Sequence, residues 1–564
     1  MNGQNGGVHD GRADDWGITD GYHDVHGAWH PIAEQTRTAM QRSMGTPRAG
    51  RPMWFVEHGT GHELWGPCDL QLDDGADRGV VHHLPPDLPV GYHDLAPVDG
   101  GPVTRLIIHP ATCPQIPDMW GVAAQTYALW GSRSWGIGDL HDVRDLAERI
   151  MAAGGGALLL SPLHQPAPTL PQEPSPYFPS SRRAWNPLLV ALDATPPSRL
   201  RCAPDQLIDR DDVWIAKRSV LEAEFEARFD ARFEASFDAT AGPVSEPDAV
   251  AWWNAHCDVL QADWQQWPAE LDRSDTALVE RARFHQWVQE RIAVQLADVA
   301  DTGITLIGDM AVGFSPAGAD ASEYRQLLAL DMRIGAPPDK FNTAGQDWGI
   351  PPFVPWRLRE ALYQPFIDTV RACLRGVHAL RIDHVMGLFR QYWVPAGGSP
   401  TDGAYVRFPA HELLAILCLE ATRAGAFVVG EDLGTVEPEV RAMLAERRIA
   451  GTRVLWFEDE PPSTWPADTL ATVTTHDLPT VTQVFVRDEP DDEVRNRLMA
   501  VAPDATDPAS AIAAANATLL GSSSRLRLVS TDDLAGATDQ PNVPGRNNHP
   551  NWRIRLPKPV SELL

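Results

Sequence analysis

Eight short apolar runs, set among helical segments from Trp120 onward, constrain this chain more than any other feature. They are Val122–Leu129, Ala157–Leu160, Ile304–Ile307, Ala379–Ile382, Phe427–Val429, Arg453–Phe457, Thr472–Thr474 and Leu526–Val529. Continuous apolar runs of this length, separated by amphipathic helices, are the pattern of parallel strands covered on both faces. Eight of them is the number a (β/α)8 TIM barrel requires, with helical insertions accounting for the extra length. In such a barrel the working groups stand at the carboxyl ends of the strands. Four of the runs lead into a carboxylate: Asp309, Asp383, the pair Glu431 and Asp432, and Asp477.

The run around Asp383 is the most informative. Arg381 lies two positions back and projects from the same strand face as Asp383. A guanidinium beside a carboxylate keeps the acid ionised and fixes its rotamer, as a nucleophilic aspartate needs. Glu431, if shielded by the barrel wall, would carry a raised pKa and could protonate a leaving oxygen. A carboxylate facing a carboxylic acid describes glycoside cleavage, with retention at a separation of ~5 Å. His476 and Asp477 add a third polar cluster able to bind sugar hydroxyls. The plainer alternative is that each acid merely caps the helix after its strand.

The segments flanking the barrel differ in texture. Residues 1–47 read as helical or irregular, with a helix over Ile32–Ser43. Residues 48–116 read as a small β-rich module with strands at Met53–Val56, Val80–Leu84 and Thr104–Ile108. His26, His30, His82, His83 and His93 recur there without zinc-like spacing. The catalytic barrel is expected over 117–564, with a long loop at 162–190 and a helical insertion at 211–299 that includes helices at Ser219–Phe237 and Thr276–Leu296. A helix is also expected from Asp142 to Ala153. The loop is rich in aromatic residues, which favours function over disorder.

A net charge of −29 repels phosphate backbones and anionic membranes, so the expected partner is neutral and neither nucleic acid nor membrane. Six scattered cysteines without a CxxC pair, and the lack of a leader-like or membrane-length apolar run, point to a cytoplasmic protein with no metal site.

The segments ALRIDHVMGLFRQYWVP, VVGEDLGTVEPEVR and TVTTHDLPTV resemble the catalytic segments of the amylomaltase family, the 4-alpha-glucanotransferases of glycoside hydrolase family 77. The likeness extends through SRSWGIGDL, SPYFPSSRRAWNPL, GDMAVGFSPAGADA, GAPPDKFNTAGQDWGIPPF, GAYVRFP and PNVPGRNNHPNWRIR, almost everything from Trp120 to Arg555, and is closest to the bacterial maltodextrin-utilisation branch. It implies no cofactor, and Asp383 as nucleophile, Glu431 as acid and base, and Asp477 as stabiliser of the transition state. Arg381, His476 and Asp309 would surround the sugar at the cleaved bond, with Tyr177 as its stacking platform, and His384 would also bind substrate. Gln346 and Trp348, in the GQDWG loop, would contact the acceptor, and Asn551 and Trp552 fall in a closing motif. The resemblance implies maltodextrin donors and glucose or maltodextrin acceptors. Where many thermophilic members read HDN, this chain has His476-Asp477-Leu478, so that Asn contributes nothing here.

Of the twenty tryptophans, Trp135, Trp185, Trp348 and Trp393 are the expected cleft residues. Hydrolysis by the same acids, a non-catalytic glucan binder and a metal-dependent hydrolase using His384 and His476 are the competing readings. Oligomerisation is left open.

Overall fold

The computed structural model describes residues 12–23, 27–204, 206–234, 245–268, 273–338, 343–434, 436–487, 493–546 and 548–564. His26 and residues 235–237 of the expected helix lie outside them, as do parts of three motifs, 339–342, 435 and 547. Eight strands form one parallel sheet: β1 Met119–Ala124, β2 Ala157–Leu160, β3 Thr305–Met310, β4 Ala379–Ile382, β5 Phe427–Gly430, β6 Gly451–Val454, β7 Thr469–Thr472 and β8 Leu526–Ser530. The sheet order runs β5-β4-β3-β2-β1-β8-β7-β6. A parallel bridge from Val429 to Ala450, the residue before β6, closes it into a barrel. The (β/α)8 fold expected from the apolar runs is therefore the fold of the protein.

The sequence places β2 and β4 to the residue and shifts the others by one to five positions. Val122–Leu129 overran β1 because the apolar residues that follow it, Thr126–Ala128, form a short 3-10 turn. The strands are continuous in hydrophobicity because both faces are covered: Val122, Leu158, Leu306, Leu380, Val428 and Leu528 are all fully buried. Gly121 permits the β1–β2 contact, since a Cβ there would sit 2.0 Å from the Ala157 carbonyl oxygen.

The chain forms two compact units. One takes the described parts of Met1–Gln115, Tyr324–Leu374 and Ile382–Gly451; the other takes Ile116–Glu323, Arg375–Arg381 and Thr452–Leu564.

In the first unit, a five-stranded sheet contains the expected strands, here Met53–Glu57, Asp77–Leu84 and Thr104–His109. It also contains two that the sequence conceals, His62–Gln71 and Gly91–Pro97. His62–Gln71 carries Gly66 and Pro67, which read as a turn. His93 is a satisfied core residue, its Nδ1 accepting from Asp73 N at 3.1 Å and its Nε2 lying 2.8 Å from Pro89 O. The expected N-terminal helix is Glu34–Met44. A second sheet, four antiparallel strands, includes Gln346–Ile350, so the GQDWG segment is a strand and not a loop. Its neighbour Gly335 admits it, because a Cβ there would clash with the Gln346 carbonyl at 1.9 Å.

In the second unit, the expected helix after β1 spans Leu140–Ala152, started by a capping box in which Asp139 and Asp142 cap each other's ends. The helical insertion comprises Arg210–Glu234, Ala249–Leu260 and Thr276–Ala300. The long loop is not structureless: His164–Gln165 pairs with Ser181–Trp185. Lys217 of the insertion is fully buried and pins it to the barrel, its ammonium donating to Asp139 Oδ2 at 3.2 Å and to the carbonyls of Leu188 and Val190 at 2.8 Å.

Candidate active site

In the second unit the carboxyl ends of the strands open on a cavity whose lining includes Tyr177, Asp309, Arg381, His476, Ser530 and Asp532. Asp309 stands near the end of β3. Arg381 Nη1 donates to both its carboxylate oxygens, at 2.7 and 2.8 Å, with both residues buried. Tyr177 donates its hydroxyl to Asp309 Oδ2 at 2.8 Å. With that single proton committed, the 3.2 Å contact between Tyr177 and His476 requires Nδ1–H of the histidine as donor.

The Tyr177 and His476 rings stack at 4.6 Å, and Trp552 closes on both at 5.3 and 5.4 Å. Trp552 holds this place with a left-handed φ of 62°, a conformation that costs about 1 kcal/mol or more and that concentrates at functional sites.

His476 Nε2 lies 3.5 Å from Asp477 Oδ2, and Asn542 Nδ2 donates to Asp477 Oδ1 at 2.6 Å. The surrounding protein works to raise the Asp477 pKa. His476, Asn542 and Arg381 outweigh it, and the acid is held below the usual carboxylate range. Asp477 is thus an ionised carboxylate with its side chain 43% exposed. Asp532, on the cavity floor, has its pKa pushed up to about 6 by burial.

In the first unit Asp383 and Glu431 follow the adjacent strands β4 and β5. Backbone bonds from Glu431 N to Ile382 O (2.9 Å) and from Val385 N to Glu431 O (3.0 Å) tie the two strand ends together. The Glu431 carboxylate is itself anchored: Oε2 accepts from His384 N at 2.9 Å, and Oε1 accepts from Leu433 N at 2.7 Å. His384 adopts a left-handed conformation (φ 47°, ψ 63°), which turns the chain directly after Asp383 and presents that amide to Glu431. Strain of about 1–3 kcal/mol at a non-glycine residue is another mark of a functional position. Burial holds the His384 pKa below its ordinary value despite the Asp383 charge, with Arg390 acting in the same direction as burial. Trp348 meets the His384 ring edge-on at 5.2 Å, and its indole N–H donates to Gln346 Oε1 at 3.0 Å. Both side chains project from one face of their strand.

Several expectations fall elsewhere. Asn551 holds its own loop, Oδ1 accepting from Val543 N and Nδ2 donating to Arg546 O. Trp393 is fully buried in a strand, Trp135 bonds the Ala194 carbonyl, and Trp185 packs under the Arg375 guanidinium at 4.6 Å. These three tryptophans are packing residues, because their loops and strands are themselves covered. Asp432, next to Glu431, is buried and ion-paired with Arg441. Sequence reasoning missed Asn542 and Asp532. Asn542 sits in the closing PNVPG motif, and that motif was the available signal.

An eight-stranded parallel barrel whose strands β3, β4, β5 and β7 lead into acids is an architecture that glycoside-processing enzymes use. Residues 124–561 match the family model described as 4-alpha-glucanotransferase. A 4-alpha-glucanotransferase of Mycobacterium tuberculosis is 35% identical over 94% of this chain and 88% of its own length. The one from Haemophilus influenzae is 32% identical over 71% of this chain and 66% of its own. The crystal structure of amylomaltase from Corynebacterium glutamicum superposes with a TM-score of 0.81 at 28% identity, covering 97% of this chain and 96% of that one. An amylomaltase from Streptococcus agalactiae, solved in complex with acarbose, shares the fold at a TM-score of 0.64 and 19% identity, covering 79% of this chain and 96% of its own. The chain belongs to the 4-alpha-glucanotransferase family, glycosyltransferase-type enzymes acting on α-1,4-glucans.

Proposed function

We propose that this enzyme moves α-1,4-glucan segments from one maltodextrin to glucose or to another maltodextrin by double displacement. Asp383 attacks the anomeric carbon to form a glycosyl ester, while Glu431 protonates the departing 4-oxygen. Glu431 then takes the proton from the 4-hydroxyl of the acceptor as that oxygen displaces Asp383, restoring the α-linkage. Asp477 accepts hydrogen bonds from hydroxyls of the distorted ring, an interaction that strengthens as positive charge develops at the anomeric carbon. Asp309, Arg381, His476 and Tyr177 hold that sugar, and Gln346, Trp348 and His384 attend the acceptor.

The observation that carries this reading is the tether between the two ends of the mechanism. The amide that follows Asp383 is hydrogen-bonded to the Glu431 carboxylate at 2.9 Å. Such coupling fixes both groups before substrate arrives, as efficient transfer requires.

Among the described residues no helix is long and apolar enough to cross a membrane, and all six cysteines are unbridged. The unbridged cysteines support a cytoplasmic enzyme. Maltotriose tests the function. Glucose and longer maltodextrins should form at constant total reducing ends, whereas a steady rise in reducing ends would show that water, not sugar, resolves the ester.

A second expectation follows from Asn542. Asn542→Ala removes one of the influences holding down the Asp477 pKa, so Asp477 takes up its proton at higher pH than before. We expect kcat at neutral pH to fall about tenfold, and the acid limb of the kcat profile to move to higher pH. An unmoved acid limb would dissociate Asn542 from Asp477 function.

A further inference from the structure

Tryptophan exposure singles out one place outside the barrel. All twenty tryptophans lie in the described residues, and Trp65 is the most exposed at 60%, on the five-stranded sheet of the first unit. It is not isolated. Trp54 lies 5.9 Å away with its plane tilted by 54°, and His62 meets Trp54 at 5.3 Å. Trp54 also packs on the hydrophobic core beneath, so the group has a fixed base.

Strand alternation explains why Trp65 faces out: along His62–Gln71, Leu64, Cys68 and Leu70 turn to the core, while Glu63, Trp65 and Asp69 are exposed. Polar groups rim the rings: Thr60 Oγ1 lies 3.3 Å from His62 Nε2, and Glu63 pairs across the strands with His83 at 3.0 Å, both well exposed.

We propose that Trp65, Trp54 and His62 form a second glucan-binding surface, separate from the catalytic residues, that holds a stretch of α-1,4-glucan. Tilted indole faces suit the apolar C–H faces of successive pyranose rings on a curving chain, and the carboxylate, imidazole and hydroxyl rim matches their hydroxyls. A neutral polysaccharide also meets no repulsion from a chain of net charge −29, whereas an anionic polymer or membrane would. The proposal rests on the α-glucan activity for the identity of the ligand. Its role would be to retain polymers, because a second anchor raises avidity for long chains and leaves short ones unaffected.

Native electrophoresis of the full chain through gels containing glycogen provides the test, with Trp65→Ala and Trp65→Tyr beside the unaltered enzyme. Glycogen should retard the unaltered enzyme and Trp65→Tyr. Trp65→Ala should bind glycogen about tenfold more weakly, with kcat/KM for maltotriose unchanged. Equal retardation of Trp65→Ala and the unaltered enzyme overturns the proposal. So does a change in mass by light scattering without a change in glycogen binding, which would make the patch a self-association surface. Failure of the unaltered enzyme to disproportionate maltotriose would instead overturn the assigned activity, so the two failures are told apart.

Discussion

Asp383→Asn is expected to lower kcat/KM for maltotriose disproportionation by about 10⁴-fold or more, with glucan binding retained. The amide is isosteric with the carboxylate, so the turn at His384 and the bonds between the ends of β4 and β5 should survive. What it lacks is a nucleophilic oxygen able to form an ester with the anomeric carbon. Loss of ester formation should appear as the disappearance of glucose release, not as a change in KM. Activity within tenfold of the unaltered enzyme would place the nucleophile elsewhere.

The largest effect on stability is expected at Lys217. Its ammonium is fully buried, and its three acceptors include Asp139, which is 2% exposed and caps the helix after β1. Lys217→Ala leaves that carboxylate and two carbonyls without their donor. Removing one partner of a buried pair costs about 3–5 kcal/mol. A chain of this size need not unfold in one step, so the measurement is the first calorimetric transition. That transition should shift down, and Lys217→Met combined with Asp139→Asn should recover part of the loss by removing the uncompensated charge. A loss of under about 1 kcal/mol would mean that the insertion is not anchored through this lysine.

Asp383 and Lys217 differ in how visible each is in the sequence. Asp383 is read from a strand of four buried residues followed by an acid, a local pattern. Lys217 reads as one more charged residue on a solvated insertion helix, and only folding places it against Asp139, 78 residues earlier. The tryptophans make the same point in reverse. Trp393 sits close to Asp383 in sequence yet is fully buried, while Trp65, in a stretch broken by Gly66 and Pro67, is the one that stands out. Gly66 and Pro67 hide strand His62–Gln71 for that reason, and the GQDWG segment reads as a loop because Gly345 precedes, and Gly349 lies within, a strand of only five residues.

From the sequence alone came the barrel, the strand ends that bear acids, and the family. The first two follow from short-range regularities, in which a buried strand must be apolar along its whole length and the residue after it is free to carry chemistry; the family follows from the resemblance of the motif segments. Tertiary structure decided which groups hold which. Arg381 reaches Asp309 across 72 positions, Tyr177 stacks on His476 across 299, and Asn542 donates to Asp477 across 65. Those partnerships depend on how a closed barrel brings distant strand ends together, and hydrophobic periodicity carries no record of side chains that meet only after closure.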